Sequence, residues 1–465
     1  MTKNSVLAYF LVLAVFGSAI WITIRMGSGL TGSSQTTSLP TNESTHETNL
    51  HGNLQSPLSR LLVQIILITV VARVCGSLVL KIGQPRVIGE MIAGILLGPS
   101  FLGFFSPATM EALFPASSMG NLRMLSELGV VLFMFLVGTD VHLGDLWKKA
   151  HTAIWVSHAS IVVPFFLGTS VSLLLYSSFA PAGIAFKPFA LFMGVAMSIT
   201  AFPVLARIVQ ERNMTQSAIG IMSLGCAAVD DATAWCILAV VLALVKSESP
   251  WATALMIVLL VSFVVVMLFI LRPALRRIVP PAVSMDKSWA AGILSFAGIA
   301  ALATEMIGVH ALFGAFIAGA VVPAGSLRTY CKEKFESVAS NLLLPLFFVF
   351  TGLRTQLGLL QDSQSWIACV VVIGAAVAGK LGGSALAARW SGMNLRDSFA
   401  LGALMNTRGL MELIVLNIGY DLGILSSRIF AILILMALTT TFMTSPLLSM
   451  VYGKPSGAAE LPKRF

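Results

Sequence analysis

Two adjacent carboxylates, Asp230 and Asp231, lie in the middle of a long apolar stretch of the chain that runs from Ile219 to Val245. Apart from this pair, the stretch has the length and composition of an ordinary membrane-spanning helix. A charged side chain at the centre of such a helix costs about 2.5–3.5 kcal/mol on insertion scales, so its usual role there is in an ion or proton pathway. The pair therefore predicts a transporter of cations or protons.

Lys380 is the basic residue that could pair with these carboxylates, because it lies within the apolar segment AAVAGKLGGSALAA. An isolated ammonium in a low-dielectric interior must lose its proton or acquire a partner. Asp230 or Asp231 is the expected partner. The alternative is a lysine that extends to the membrane interface, and this fits poorly with a position well inside the span.

Two apolar segments contain polar residues and a helix breaker near their middles. In the first, Ser198 and Thr200 precede Pro203, and the second contains the run Asn406, Thr407, Arg408 and Gly409. Proline removes a backbone donor and glycine weakens a helix, so both segments are candidate broken helices. In transporters with inverted repeats, paired broken helices mark the substrate site near the membrane midplane. Continuous, kinked helices with back-bonded hydroxyls are the alternative.

Glu412 follows Arg408 by about one helical turn, beside the second candidate break. We expect these two side chains to form a structural ion pair or network near the site.

The composition is that of a membrane protein. The 465 residues are 57% hydrophobic and 11% charged, with a mean hydropathy of +0.90, whereas a soluble domain carries about 25% charged residues. The net charge of +9 is spread over short loops rather than gathered in a patch, so nucleic acid is not an expected partner. The five cysteines contain no CxxC pair, and no metal or cofactor site is expected beyond the transported cation.

The apolar segments predict an all-α polytopic membrane protein with 13–14 transmembrane helices. The spans are expected near residues 6–25, 58–80, 86–99, 121–139, 152–176, 188–209, 216–245, 251–272, 288–306, 308–323, 338–353, 366–388, 397–419 and 427–450.

Basic residues favour alternate loops. If the N-terminus is cytoplasmic, the cytoplasmic loops carry Lys81, Arg86, Lys148, Lys149, Arg207, Arg212, Arg272, Arg276, Arg277, Arg328, Lys332, Lys334, Arg389, Arg396 and Lys454. The opposite loops carry mainly Arg60, Lys187, Lys246 and Arg354. Because cytoplasmic loops are enriched in lysine and arginine, this distribution predicts a multi-pass protein of the cell (plasma) membrane with both termini in the cytoplasm.

The domain limits follow from these segments. Residues 1–57 are expected to form an extra N-terminal span, or a signal peptide, followed by a polar outer loop. An uncleaved span is favoured because its apolar run is longer than a typical signal core and no clear A-x-A site follows. Residues 58–452 would form the membrane domain and residues 453–465 a short cytoplasmic tail.

Several ordered motifs resemble one known family over roughly residues 58–449. The runs ITAFPVLARIVQE, AAVDDATAWCILA, GAFIAGAVVP and LRDSFALGALMNTRGLMELIVLNIG are similar to the monovalent cation:proton antiporter-2 family, most closely to its plant-type cation/proton exchanger branch. The resemblance implies inverted repeats with two crossed broken helices, the sodium/proton antiporter fold. It also implies interleaved dimerisation and core subdomains, a homodimer, and an elevator-like movement of the core.

The resemblance also implies roles for the charged residues. Asp231 would bind the cation or the proton, while Asp230 would pair with Lys380. The plant-type branch commonly has Asn-Asp at this position, whereas this chain has Asp-Asp with a facing lysine, as in electrogenic bacterial sodium/proton antiporters. The resemblance therefore supports antiport more firmly than it supports potassium as the ion.

The predicted function is secondary active antiport of sodium or potassium against protons. Ionised Asp231 would accept the cation, assisted by Thr200, and a proton would displace it at low pH. A channel-like pathway fits less well because neither a filter loop nor a ring of charge is visible. An antiporter fold adapted as a sensor, a carrier of another solute or an intramembrane acid/base enzyme is the other alternative. Partners are expected to be Na+ or K+, H+, membrane lipid and a second copy of the chain.

Overall fold

The computed structural model describes residues 18, 22, 56–140, 150–214, 217–246, 250–278, 287–323 and 325–453, and this described part contains no β-strand. Nearly all of the predicted span at residues 6–25, the polar tract after it and the tail from residue 454 lie outside the described residues. The domain limits predicted for these segments remain predictions.

The described helices before residue 250 are α1 (Pro57–Lys81), α2 (Arg86–Leu97), α3 (Leu102–Phe105), α4 (Pro107–Leu113), α5 (Ala116–Asp140), α6 (Ala150–Phe179), α7 (Phe186–Ser198), α8 (Phe202–Glu211) and α9 (Ala218–Lys246). Those that follow are α10 (Pro250–Val265), α11 (Arg272–Ile278), α12 (Lys287–Ile307), α13 (Ala311–Val321), α14 (Ser326–Val338), α15 (Leu344–Leu353), α16 (Ser363–Val377), α17 (Gly383–Trp390), α18 (Leu395–Met405), α19 (Leu410–Asp421) and α20 (Ser427–Tyr452). Three π-helical turns, Val266–Leu271, Ala339–Leu343 and Ala378–Gly382, join α10 to α11, α14 to α15 and α16 to α17.

The helices reproduce the predicted pattern of spans. Among the described residues, ten helical segments are long and apolar enough to cross a membrane, and α18 with α19 forms a further span that bends by 43°. The span predicted at 188–209 is divided into α7 and α8, and the span predicted at 308–323 contains the shorter helix α13. A helix or a broken helix therefore lies at each span predicted after residue 57, and the all-α polytopic fold is confirmed.

The helices pack as two bundles. The site bundle consists of α6–α9 and α16–α20, and the flanking bundle consists of α1, α2, α5 and α12–α15. Helix α10 contacts α9 on one side and α12 on the other, so it links the bundles. Inside the flanking bundle, α5 and α13 approach closely, because a Cβ at Gly319 would lie only 1.9 Å from the carbonyl oxygen of Phe135.

The site bundle contains the same order of helices twice: a long span, a broken pair and a second long span. The two broken pairs run in opposite directions. Arg212, after α8, bonds to the Ser445 carbonyl at 2.5 Å, and Arg396, in the first turn of α18, bonds to the Val451 carbonyl at 3.0 Å. Both carbonyls lie near the end of α20, so α18 begins where α8 ends. This is an inverted repeat.

The residues predicted to break the spans are located at the two interruptions. Pro203 is in the first turn of α8. Backbone N–H groups in a first turn have no partner within the helix, so the N–H that proline lacks costs no helical hydrogen bond. Gly409 precedes α19, and a Cβ there would lie 2.6 Å from Cγ2 of Val204 in α8. Gly409 therefore allows the second break to approach α8, the helix that follows the first break.

Candidate functional site

The two breaks meet at the centre of the site bundle. The backbone N–H of Ala201 donates to the carbonyl oxygen of Thr407 at 3.1 Å, which joins the interruptions through main-chain atoms. The C-terminal ends of α7 and α18 and the N-terminal ends of α8 and α19 therefore converge. Helix C-termini carry partial negative charge and N-termini partial positive charge, so this region can stabilise charged groups of either sign.

Asp230 is fully buried on the unbroken helix α9 and is surrounded by donors. Its Oδ1 accepts a hydrogen bond from Ser157 at 2.5 Å, and its Oδ2 accepts from Ser160 at 2.6 Å and from Thr200 at 2.7 Å. The two serines come from α6 and the threonine from the first break. Three donors from two elements thus fix this carboxylate.

Lys380 is the charged partner of Asp230. Its Nζ lies 3.2 Å from Asp230 Oδ2 and donates to Thr200 Oγ1 at 2.5 Å, and both charged side chains are fully buried. Lys380 lies in the π-helical turn between α16 and α17, and π-helical turns often occur at functional sites. The preceding Gly379 allows close contact with α6, because a Cβ there would lie 2.8 Å from Pro164 Cα.

Asp231 has a contrasting environment. It is buried, with 4% of its surface exposed, and neither carboxylate oxygen accepts a hydrogen bond from any residue that the structure describes. The backbone N–H of Phe202, at the start of α8, faces this carboxylate but lies outside normal hydrogen-bond limits. A buried carboxylate without donors is costly unless it binds a proton or a cation. Asp231 is therefore the candidate among these residues for binding a proton or a cation.

Arg408 ties the second break to the first. Its guanidinium is fully buried and donates to the carbonyl oxygens of Ala196 at 2.9 Å and Met197 at 2.8 Å, in the last turn of α7. Its Nη1 also lies 3.3 Å from Glu412 Oε1. The expected pair with Glu412 is present, but carbonyls of the broken helix supply the shorter contacts. Arg408 satisfies carbonyls that α7 leaves without a helical partner.

Helix α20 supports the second break through a row of threonines. Asn406 Nδ2 donates to the Thr440 carbonyl at 3.4 Å, and Thr407 Oγ1 contacts Thr444 Oγ1 at 3.3 Å. Thr441 Oγ1 donates to the backbone carbonyl of Arg408 at 2.8 Å. Asn406 and Thr407 therefore lie at the crossing, where their side chains contact α20.

Some residues differ from the expectation or were not foreseen. Ser198, expected as a supporting residue, is buried, but its hydroxyl bonds to the Val195 carbonyl of its own helix at 2.9 Å. Ser157 and Ser160 were not predicted, although their spacing of one turn within an apolar span was a usable signal. The structure thus brings together Asp230, Lys380 and Thr200, with Asp231 beside them on α9.

Comparisons with known proteins agree with this architecture. The family model for the transmembrane sodium/hydrogen exchanger matches residues 66–451. The Na(+)/H(+) antiporter NhaS4 of Synechocystis sp. is 42% identical over 402 residues, covering 85% of this chain and 98% of the relative. Cation/H(+) antiporter 17 of Arabidopsis thaliana is 41% identical over 418 residues, covering 88% of this chain and 51% of the relative.

A yeast relative and a solved structure extend the comparison. The K(+)/H(+) antiporter 1 of Saccharomyces cerevisiae is 33% identical, covering 86% of this chain and 48% of the relative. The chain therefore spans about half the length of these plant and yeast relatives. The structure of the sodium proton antiporter MjNhaP1 from Methanocaldococcus jannaschii superposes with a TM-score of 0.61 at 15% identity, over 85% of this chain and 98% of the other. This likeness shows a shared fold.

Proposed function

The chain belongs to the sodium/hydrogen exchanger family, and we propose from this premise that it exchanges a monovalent cation, sodium or potassium, for protons across a membrane. The relatives named as sodium, potassium or general cation antiporters support exchange and leave both ions as candidates.

The observation that carries the proposal is the contrast between two neighbouring carboxylates. Asp230 is occupied by Lys380 and three hydroxyls, whereas the buried oxygens of Asp231 have no hydrogen-bond donor among the described residues. Asp231 is therefore the group whose ionised carboxylate binds either a cation or a proton, and the bound proton neutralises it. Competition between the two at one position couples their opposite movements.

Lys380 supplies a second transported proton in this mechanism. Its ammonium pairs with Asp230 in the proton-loaded state, and an arriving cation adds positive charge close to it. Electrostatic repulsion then favours release of the lysine proton. Two protons exchange for one cation, so the cycle moves net charge.

Alternating access follows from an elevator-like movement of the site bundle against the flanking bundle. Direct side-chain contacts between the bundles include Trp235 stacked on Phe316, with ring centroids 6.3 Å apart, and Arg354 bonded to Asn417 at 2.9 Å. These contacts are between side chains, so they can separate without breaking a helix. The proposal includes a homodimer in the lipid of the cell membrane, with both termini in the cytoplasm.

Proteoliposomes with an imposed pH gradient test the proposal. Purified protein should release protons, detected with a pH-sensitive dye, on addition of sodium or potassium, whereas choline serves as the control cation. Proton release that depends on an alkali cation supports antiport. A channel would conduct without the second ion, and a sensor or an enzyme would give no cation-dependent release.

A further inference from the structure

The adjacent carboxylates of α9 have opposite hydrogen-bonding states. Asp230 accepts from Ser157 on Oδ1, and from Ser160, Thr200 and Lys380 on Oδ2. Each oxygen of an ionised carboxylate offers about two acceptor positions, so the three donors use Oδ2 fully and Ser157 uses one of the two positions on Oδ1. Asp231 has no donor among the described residues.

A serine in an apolar helix usually bonds back to the helix's own carbonyls, whereas the hydroxyl of Ser157 donates to Asp230. Ser172, a buried serine further along α6, shows the usual behaviour, since its hydroxyl bonds to the Gly168 carbonyl at 2.8 Å. Ser160 has the same option, with the Ser157 carbonyl 2.8 Å away, yet its Oγ also lies 2.6 Å from Asp230. Ser157 and Ser160 are thus directed at the carboxylate.

We propose that Ser157 and Ser160 are positioning residues that keep Asp230 out of the coordination shell of the transported cation, so that one carboxylate rather than two holds the ion. This inference rests on the proposed antiport. Two hydroxyls and Lys380 engage Oδ2 and the Ser157 hydroxyl engages Oδ1, so these contacts hold Asp230 in its present orientation, away from the cation. Coordination by Asp231 alone keeps the ion weakly bound, and rapid transport requires an ion that can leave as well as enter.

The proposal predicts a change in two kinetic parameters, the apparent KM for the cation and the maximal exchange rate. In the Ser157→Ala/Ser160→Ala double variant, Asp230 Oδ1 loses the hydroxyl donor that Ser157 supplies, and the carboxylate can turn towards the cation. Two carboxylates then bind the ion more tightly and release it more slowly. The apparent KM for the cation should fall about fivefold to tenfold, and the maximal exchange rate should fall with it.

Matched variants separate this effect from general damage to α6. Ser172→Ala removes a buried hydroxyl from the same helix without touching Asp230, so both kinetic parameters should remain those of the unmodified protein. Ser157→Thr and Ser160→Thr retain a hydroxyl and should restore the unmodified KM. A purely structural role for the serines would lower the maximal rate and leave the KM in place.

The test is cation-dependent proton release in proteoliposomes, titrated with sodium and with potassium, for these variants. Cation binding is measured separately in detergent as the rise in melting temperature with cation concentration. A lower KM and a melting temperature that responds at lower cation concentration support the proposal. A KM that is unchanged or raised overturns it.

Two further measurements keep the outcomes distinct. If the double variant does not fold, Ser157→Ala alone, which frees Oδ1, is assayed in the same way. If the unmodified protein releases no protons, the proposed antiport fails, while the melting-temperature titrations still decide whether the serines limit cation affinity.

Discussion

The guanidinium of Arg408 donates to the main-chain carbonyl of Met197 at 2.8 Å, so a side chain from the second helix break satisfies the end of the first broken helix. Met197 and Arg408 lie 211 residues apart in sequence, and hydrogen bonds of this kind join the two broken helices. We therefore expect the two broken helices to move together as one unit inside the site bundle.

Arg408→Gln should destabilise the protein strongly, because carbonyls of α7 and the buried Glu412 lose a charged partner. Removing one member of a buried charged network costs about 3–5 kcal/mol. Arg408→Lys should also be destabilising, since one ammonium cannot reproduce the planar fork that reaches two carbonyls. Thermal unfolding in detergent measures the effect. Arg389→Gln, which removes an exposed arginine bonded to the Met393 carbonyl, is the control.

Lys380→Gln should abolish electrogenic exchange, because the glutamine cannot release the second proton. The variant is expected to move one proton per cation and to produce no current on a solid-supported membrane. Lys187→Gln, on the exposed start of α7, should keep the current of the unmodified protein. Equal charge per cation in Lys380→Gln and the unmodified protein would make Lys380 a structural residue.

Asp230→Asn should retain some transport but lower the melting temperature or change the charge moved per cycle. The amide leaves the buried ammonium of Lys380 without its anionic partner, and an unpaired buried lysine tends to lose its proton. The measurement is proton release and current at matched protein density. Complete loss of transport and of cation binding, identical to that in Asp231→Asn, would contradict separate roles for the two aspartates.

A covalent tether between Arg354→Cys and Asp421→Cys should stop exchange, because it would fix α19 of the site bundle to the end of α15. Arg354 and Asp421 form an ion pair between the bundles, and Arg123 lies 3.2 Å from the same aspartate. In a background without native cysteines, a short bifunctional thiol reagent should abolish proton release, and a reductant should restore it.

The control tether joins Asp362→Cys to Arg428→Cys, which replace an ion pair of 3.5 Å between the start of α16 and α20, both in the site bundle. This tether should leave exchange intact. Exchange that continues with the Arg354 and Asp421 positions tethered would argue against relative movement of the bundles there.

Much of the fold was predictable because hydropathy and helix breakers act locally. Pro203 and Gly409 marked the two interruptions, and loop-separated apolar runs marked the spans after residue 57. Family membership also confirms the prediction of a transporter over an enzyme. The contacts of Ser157, Ser160 and Arg408 were not predictable, since they depend on how distant helices rotate against each other. Hydropathy carries no information about that rotation.

The central claim is that Asp231 binds the exchanged cation and the proton that competes with it, and the most direct test is exchange by Asp231→Asn in proteoliposomes. An amide of nearly the same shape cannot ionise, so the protein should insert and fold but release no protons on addition of sodium or potassium. Asp362→Asn, at an exposed position in the same bundle, should exchange normally. Loss of exchange confined to Asp231→Asn is the predicted result, and exchange by that variant near the unmodified rate would contradict the account.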